Sequence, residues 1–230
     1  MKFILFIAIL GSFSSFADTP KSESKLVAKP VFKSVLQKTL HKYASASSLQ
    51  TVIIKTDENV ALGKKSESKG LLKYQNKKIF IVFNGEKKTE FYFDKQQLIL
   101  VEHPDADFVT ENTKSPPVRK VTTLKKTLPP FLNSLLSLFS NPGVFNKEFT
   151  VVSEKTENNV TTVQLTPVEK MIKNINLKID TKTYFVNEIN FTDDATNKTS
   201  IQMSQTILNS KLNKADLIFT KQKNDEEITQ

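Results

Sequence analysis

The chain of 230 residues has no cysteine and no tryptophan, five glycines, two histidines and one arginine, Arg119. Each scarcity removes a class of function. Without cysteine there is no disulfide framework and no thiol that could carry a lipid. His41 and His103 stand in no H-x-x-x-H or H-E-x-x-H spacing, so a transition-metal site would need carboxylates alone. The close carboxylates Asp105 with Asp107, and Asp193 with Asp194, lie in turn-forming stretches. There aspartate bonds its own backbone, and that role is preferred to calcium or acid–base work. Five glycines leave no phosphate-cradling loop, and no G-x-S-x-G elbow occurs. No catalytic residue, metal or cofactor is therefore expected, and the protein is read as a non-enzyme. The formal charge of +9 is almost entirely lysine. Readers of nucleic acid lean on the arginine fork, so the excess is assigned to a solvated surface with weak attraction for anionic surfaces.

The N-terminus shows the three parts of an export signal. Lys2 provides the positive start, Phe3 to Leu10 the apolar run, and Ser15-Phe16-Ala17 the small residues read by a signal peptidase. The expectation is a signal peptide at 1–17, cleaved after Ala17, and a flexible lead-in at 18–29. A single domain at 30–221 and a polar tail at 222–230 complete the division. The apolar run is shorter than the roughly 20 residues that span a bilayer. The mature protein is accordingly expected to be periplasmic, unlipidated and unanchored.

Past the lead-in, Val31, Val35, Leu36, Leu40 and Tyr43 are spaced as one helical stripe. From Thr51 the period becomes two. Thr51–Thr56, Ser66–Gln75, Ile79–Phe83, Thr89–Phe93 and Leu98–Val101 read as strands, the last four as an antiparallel meander. Asn84-Gly85 is a strong hairpin signal. His103–Lys120 reads as a long loop. A second helix carries Phe131, Leu132, Leu135, Leu136, Leu138 and Phe139, with Pro129-Pro130 at its start and Asn141-Pro142-Gly143 at its end. Strands resume over Phe149–Glu154, Val160–Pro167, Ile172–Asp180, Val186–Thr192, Thr199–Gln205 and Leu217–Lys221. The fold class is α+β, mainly antiparallel β.

Aromatic residues concentrate in the meander at Tyr74, Phe80, Phe83, Phe91, Tyr92 and Phe93. Its strands are apolar on both faces, and two apolar faces need two covers. A half-closed barrel with apolar contents meets that requirement, and the greasy second helix suits either a buried core helix or a lid.

Several strings resemble the outer-membrane lipoprotein carrier protein family, LolA. Val163-Gln164-Leu165-Thr166-Pro167 is similar to its "L-x-P" strand, and Ile175 to Asp180 and Val186 to Ile189 follow at its spacing. Asp193 to Ile201 is similar to its "D-x-x-G-N-x-T-x-I" hairpin, and Asp216-Leu217-Ile218-Phe219 resembles its closing strand. Gly70 to Tyr74 and Asp94 to Val101 resemble its opening meander. Where the family carries an arginine that holds the lid, this chain has Tyr74-Gln75-Asn76-Lys77-Lys78. The resemblance implies an unclosed half-barrel with helices covering the concave face. It also implies a soluble periplasmic carrier of lipoprotein acyl chains, loaded by an inner-membrane ABC-type releasing complex and discharged to an outer-membrane acceptor. Tyr74, Phe80, Val82, Phe91, Phe93, Ile99, Leu132, Leu135, Leu136 and Phe139 are the expected cavity wall and lid. A carrier of another lipid or glycolipid, and a periplasmic interaction or sensor module, are the alternatives.

Overall fold

The computed structural model describes residues 33–85, 87–94, 97–104, 118–125, 130–139, 142–168 and 172–229. The chain divides into two units, 1–31 and 32–230, and all described residues belong to the second. The expected signal peptide and lead-in, with Val31 and most of the long loop, lie outside the described residues.

One helix, α1 (Val35–Ala44), precedes six strands: β1 (Ser48–Asn59), β2 (Lys64–Gln75), β3 (Lys78–Asn84), β4 (Lys88–Asp94), β5 (Gln97–Glu102) and β6 (Lys120–Lys125). Two helices follow, α2 (Pro130–Phe139) and α3 (Pro142–Glu148). Then come β7 (Phe149–Glu157), β8 (Val160–Pro167), β9 (Ile172–Asp180), β10 (Val186–Asp193) and β11 (Lys198–Leu208). A 3-10 turn at Lys214–Leu217 and a last strand, β12 (Glu226–Thr229), finish the described chain. No described helix is long and apolar enough to cross a membrane.

All twelve strands form one sheet in the order β12-β6-β5-β4-β3-β2-β1-β11-β10-β9-β8-β7. Two antiparallel meanders are thus joined by the long-range pair of β1 with β11. The sheet is unclosed, with β12 and β7 as its two ends, so the fold is a half-barrel. Because β6 lies near one end and β7 at the other, the segment holding α2 and α3 must cross the sheet. It crosses on the face toward which Ile53, Leu72, Ile79, Ile81, Ile201, Ile189, Leu177 and Val163 point, and these form one core with Leu36, Leu40 and Tyr43 of α1. Leu132, Leu138 and Phe139 of α2, and Phe145 of α3, complete that core. The alternation of buried and half-buried residues along β3 shows a strand with one face in this core.

Four sequence readings change. Lys120, read as the close of the long loop, opens a strand, Lys120–Lys125, that the sequence reading did not assign. Pro142 opens a third helix instead of ending the second, because a first-turn residue needs no backbone N–H. The expected strand at Leu217–Lys221 does not form: Leu217 ends the 3-10 turn, which an ion pair of Asp216 with Lys73 at 2.7 Å holds, and 218–221 is irregular. Residues 226–229, read as part of a polar tail, pair with β6 in parallel. Charge matching, which hydrophobic periodicity does not detect, orders them.

Gly70 is required by close approach. A Cβ there would stand 2.2 Å from the Val82 carbonyl oxygen and 2.9 Å from the Phe83 ring that covers it.

Candidate functional site

The helix-covered face is built by register. Tyr74 lies opposite Ile79, Ile79 opposite Phe93, and Phe93 opposite Leu98, so these residues share a face. Phe91 stands opposite Ile81 on the same side. Tyr74, Phe91, Phe93 and Leu136 are partly buried against the core, whereas Leu132 and Phe139 are fully within it. Leu135 lies in α2, and its side chain is outside the described residues. The chain's aromatic packing converges on α2: the Phe139 ring lies 5.4 Å from those of both Tyr43 and Tyr74.

Phe80, Val82 and Ile99 do not belong to this wall. Phe80 pairs with Tyr92, Val82 with Glu90, and Ile99 with Tyr92, all on the opposite face. For Phe80 and Val82 the cause is parity in one hairpin, whereas Ile99 takes the opposite face because Leu98 pairs with Phe93. A two-residue turn at Asn84-Gly85 would pair even with odd positions and set Phe80 and Val82 beside Phe91 and Phe93. The ladder instead closes with Asn84 opposite Lys88, across three residues, so odd pairs with odd. One extra loop residue moves the strand's whole side-chain set to the other side. Periodicity missed Leu49, Leu72, Ile79, Ile81 and Leu98, which are buried in the wall. The apolar-on-both-faces pattern of β3 contained Ile79 and Ile81, and only the register chooses between its faces.

The covering helices are held by polar contacts at their ends. Ser34 caps α1 by accepting the Gln37 N–H at 3.1 Å. With no acidic residue in the first turn of α1, Glu154 of β7 serves instead, accepting the N–H groups of Val35 at 2.8 Å and Leu36 at 3.3 Å. The buried Tyr43 hydroxyl accepts the Val186 N–H at 3.0 Å, and burial pushes its phenol well above the ordinary range. Ser137 of α2 donates to the Glu148 carboxylate of α3. Near the end of α2 the Tyr74 hydroxyl reaches the Phe139 carbonyl at a long 3.5 Å.

A cleft of about 540 Å³ opens between α1, α3 and β7. Ser34, Gln37, Pro142, Asn146, Val151 and Glu154 line it, and Leu36 and Leu40 of the core reach into it. It is large enough for part of an acyl chain. A second, smaller cavity of about 110 Å³ lies on the opposite face, among Tyr92, Ile99, Leu217 and Phe219.

The two histidines occupy different settings. His41 is exposed on α1. His103 Nε2 lies 3.2 Å from Glu90 Oε1, and Lys88 and the Tyr92 hydroxyl contact the same carboxylate at 2.6 and 2.9 Å. Burial lowers His103, and the Glu90 charge offsets only part of that. Burial alone would raise Glu90, but bonds from Lys88 and Tyr92 outweigh it and hold the carboxyl below its usual range. Neither of these two cavities is lined by His103 or Glu90. Asp193 serves its turn, accepting the Asn197 N–H at 2.9 Å, and no described group of His, Asp and Glu could hold a metal ion.

The apolar face of this half-barrel is thus closed by short helices, with the larger cleft at their border. The model of the family described as outer membrane lipoprotein carrier protein LolA matches residues 113–220. Over that stretch, a little under half of its length, the chain is similar to the LolA family. Among solved structures, an uncharacterized conserved protein from Thermus thermophilus superposes with a TM-score of 0.50 at 7% identity, covering 85% of this chain and 97% of that one. A DUF1329 family protein from Desulfovibrio piger has a TM-score of 0.44 at 10% identity, with coverage of 80% and 94%. A LolA superfamily protein from Nitrosomonas europaea has a TM-score of 0.40 at 8% identity, with coverage of 80% and 96%. No curated protein matches the chain significantly.

Proposed function

We propose that this protein is a non-catalytic periplasmic carrier that shields the acyl chains of lipoproteins between the inner and outer membranes. The observation that carries the reading is the mismatch between the two sides of the apolar core. One side is a continuous twelve-stranded sheet, and the other consists of three short helices with a cleft of about 540 Å³ among them. An acyl chain exposed to water costs about 0.8 kcal/mol per CH₂. A lid of replaceable apolar side chains lets the same face be dry both with and without cargo.

In this arrangement Leu132, Leu138 and Phe139 of α2 fill the core when the carrier is empty. Cargo enters through the cleft beside Leu36 and Leu40, and α2 swings off the sheet as the chains take the place of its side chains. The tie from Tyr74 to the Phe139 carbonyl is a single neutral bond, weaker than a charged arginine fork. In this reading the packing of Leu132, Leu138 and Phe139 holds the lid, and it yields to an apolar ligand. An inner-membrane ABC-type releasing complex would load the carrier, and an outer-membrane acceptor would unload it.

The test is purification from the periplasm of a bacterial host without detergent, followed by mass spectrometry of the intact complex. Bound diacyl or triacyl peptides support the proposal. Free phospholipid or glycolipid would keep the carrier but replace its cargo. An empty protein with a stoichiometric protein partner would overturn it.

A further inference from the structure

The face of the meander turned away from the helices is also apolar, and the C-terminal segment covers it. Val101 and Val121 are buried there, and Leu217 of the 3-10 turn is buried as well. Phe219 stacks edge-on against Tyr92 at 5.7 Å, with the cavity of about 110 Å³ left between segment and sheet. Beyond this, the chain turns and adds β12 to β6, with Glu226 opposite Lys120 and Thr229 opposite Thr123.

The chain's one arginine sits at this junction. Arg119 Nε and Nη2 grip the two oxygens of Asp225 at 2.8 and 2.7 Å, and Nη2 reaches the Thr220 carbonyl at 3.3 Å. The Arg119 carbonyl accepts the Glu226 N–H at 2.9 Å. The Asp225 side chain is 1% exposed, whereas Glu226, Glu227 and Ile228 are exposed. The last strand is thus held by one buried fork and a short parallel ladder, the weaker kind of strand pairing. Of its acidic residues, Asp225 meets Arg119 just ahead of β6, Glu226 stands opposite Lys120, and Glu227 pairs with Lys221 at 2.8 Å. This is recognition of an extended acidic segment by a sheet edge, and the segment seated there is the chain's own.

We propose that the β6 edge with Arg119 is a docking groove for an extended acidic segment of a partner protein. The partner adds parallel to β6 with a carboxylate in the Arg119 fork, and residues 225–229 occupy the groove as an intramolecular competitor. A tethered competitor acts at an effective concentration of order mM, so a partner displaces it by offering a longer ladder or by binding elsewhere on the protein too. The groove is an edge of the sheet, not the helix-covered face, and does not depend on the carrier reading.

The test uses the full chain and a fluorescent nonapeptide with the sequence of residues 222–230, followed by anisotropy at low salt, with hydrogen exchange reporting on β6. Asp225→Asn weakens the tethered occupant. It should expose the β6 amides and bind the peptide at least about tenfold more tightly than the unaltered chain. Adding Arg119→Lys, which keeps the charge but loses the fork, should abolish that gain. A peptide with all three acids replaced by their amides should not bind. Equal binding of the peptide by the unaltered and Asp225→Asn chains would overturn the proposal. Equal binding of acidic and amide peptides, or unchanged β6 protection in Asp225→Asn, would do the same. If Asp225→Asn does not fold, Glu226→Pro, which removes the N–H bonded to the Arg119 carbonyl, provides the same comparison.

Discussion

Tyr43 combines the two demands of a buried aromatic residue: its ring packs on Phe139 and Phe185, and its hydroxyl satisfies the Val186 N–H. Tyr43→Phe keeps the ring and leaves a buried donor unpaired, so it should lower unfolding stability by about 1–2 kcal/mol, measurable by urea titration. At Gly70 the obstacle is backbone, the Val82 carbonyl oxygen, which cannot rotate aside. Gly70→Ala should cost about 2–3 kcal/mol, and an unchanged midpoint would mean that β2 and β3 are not packed this closely.

The Glu90 cluster gives a pH dependence with a definite sign. His103 is held below its ordinary value of 6.5, so the unfolded chain takes up that proton first. Its contribution is present above pH 6.5 and fades as the pH falls below it. Glu90 is held below 4.5, so its contribution is present above 4.5 and is lost as the pH falls through the folded value. Both act in the same direction, and stability should decline from pH 7 toward pH 4. His103→Gln should flatten the upper part of that decline and Glu90→Gln the lower part, in denaturation curves taken at half-unit intervals.

Among the elements, α2 is the one that the carrier proposal requires to leave the sheet. Phe139 is its anchor, touching Tyr43 and Tyr74. Phe139→Ala should lose about 3–5 kcal/mol of stability. If α2 is a lid, it should also raise the uptake of a fluorescent fatty-acid analogue. Lower stability with unchanged uptake would make α2 a fixed core helix. The α1 helix is docked differently, through its N-terminal amides on Glu154. That contact ties the first helix to the far edge strand of the sheet and sets one border of the cleft.

At the scale of the whole molecule, the two meanders depend on the seam of β1 with β11. Ile53 lies in that seam, opposite Met203 and Gly70 and fully buried. Because this pairing joins residues about 150 positions apart, neither meander retains its core without the other. Unfolding followed by tyrosine fluorescence and by circular dichroism should give one coincident transition. Ile53→Ala should move that transition as a unit, by about 2–5 kcal/mol, and separate transitions for the two halves would contradict the single shared core.

Strand after strand was legible from period-two alternation, because a half-buried strand must alternate. The helix of Leu36, Leu40 and Tyr43, the apolar second helix and the scarcity of catalytic groups were legible on similar grounds, since each is a local property of residue order and type. The phase of a strand is not local. Whether Phe80 or Ile79 faced the helices depended on the register of β3 with β2 and β4, and the tertiary pairing decided it. The order of the last residues was also hidden, because Asp225 is polar and finds its partner, Arg119, about a hundred positions away. The sequence by itself determined that this is a mainly β protein with a greasy helical cover and a lysine-rich surface. Only the tertiary structure decided which face the helices cover and that the C-terminal strand closes the other end of the sheet. Register and long-range ion pairs, unlike periodicity, exist only once distant segments meet.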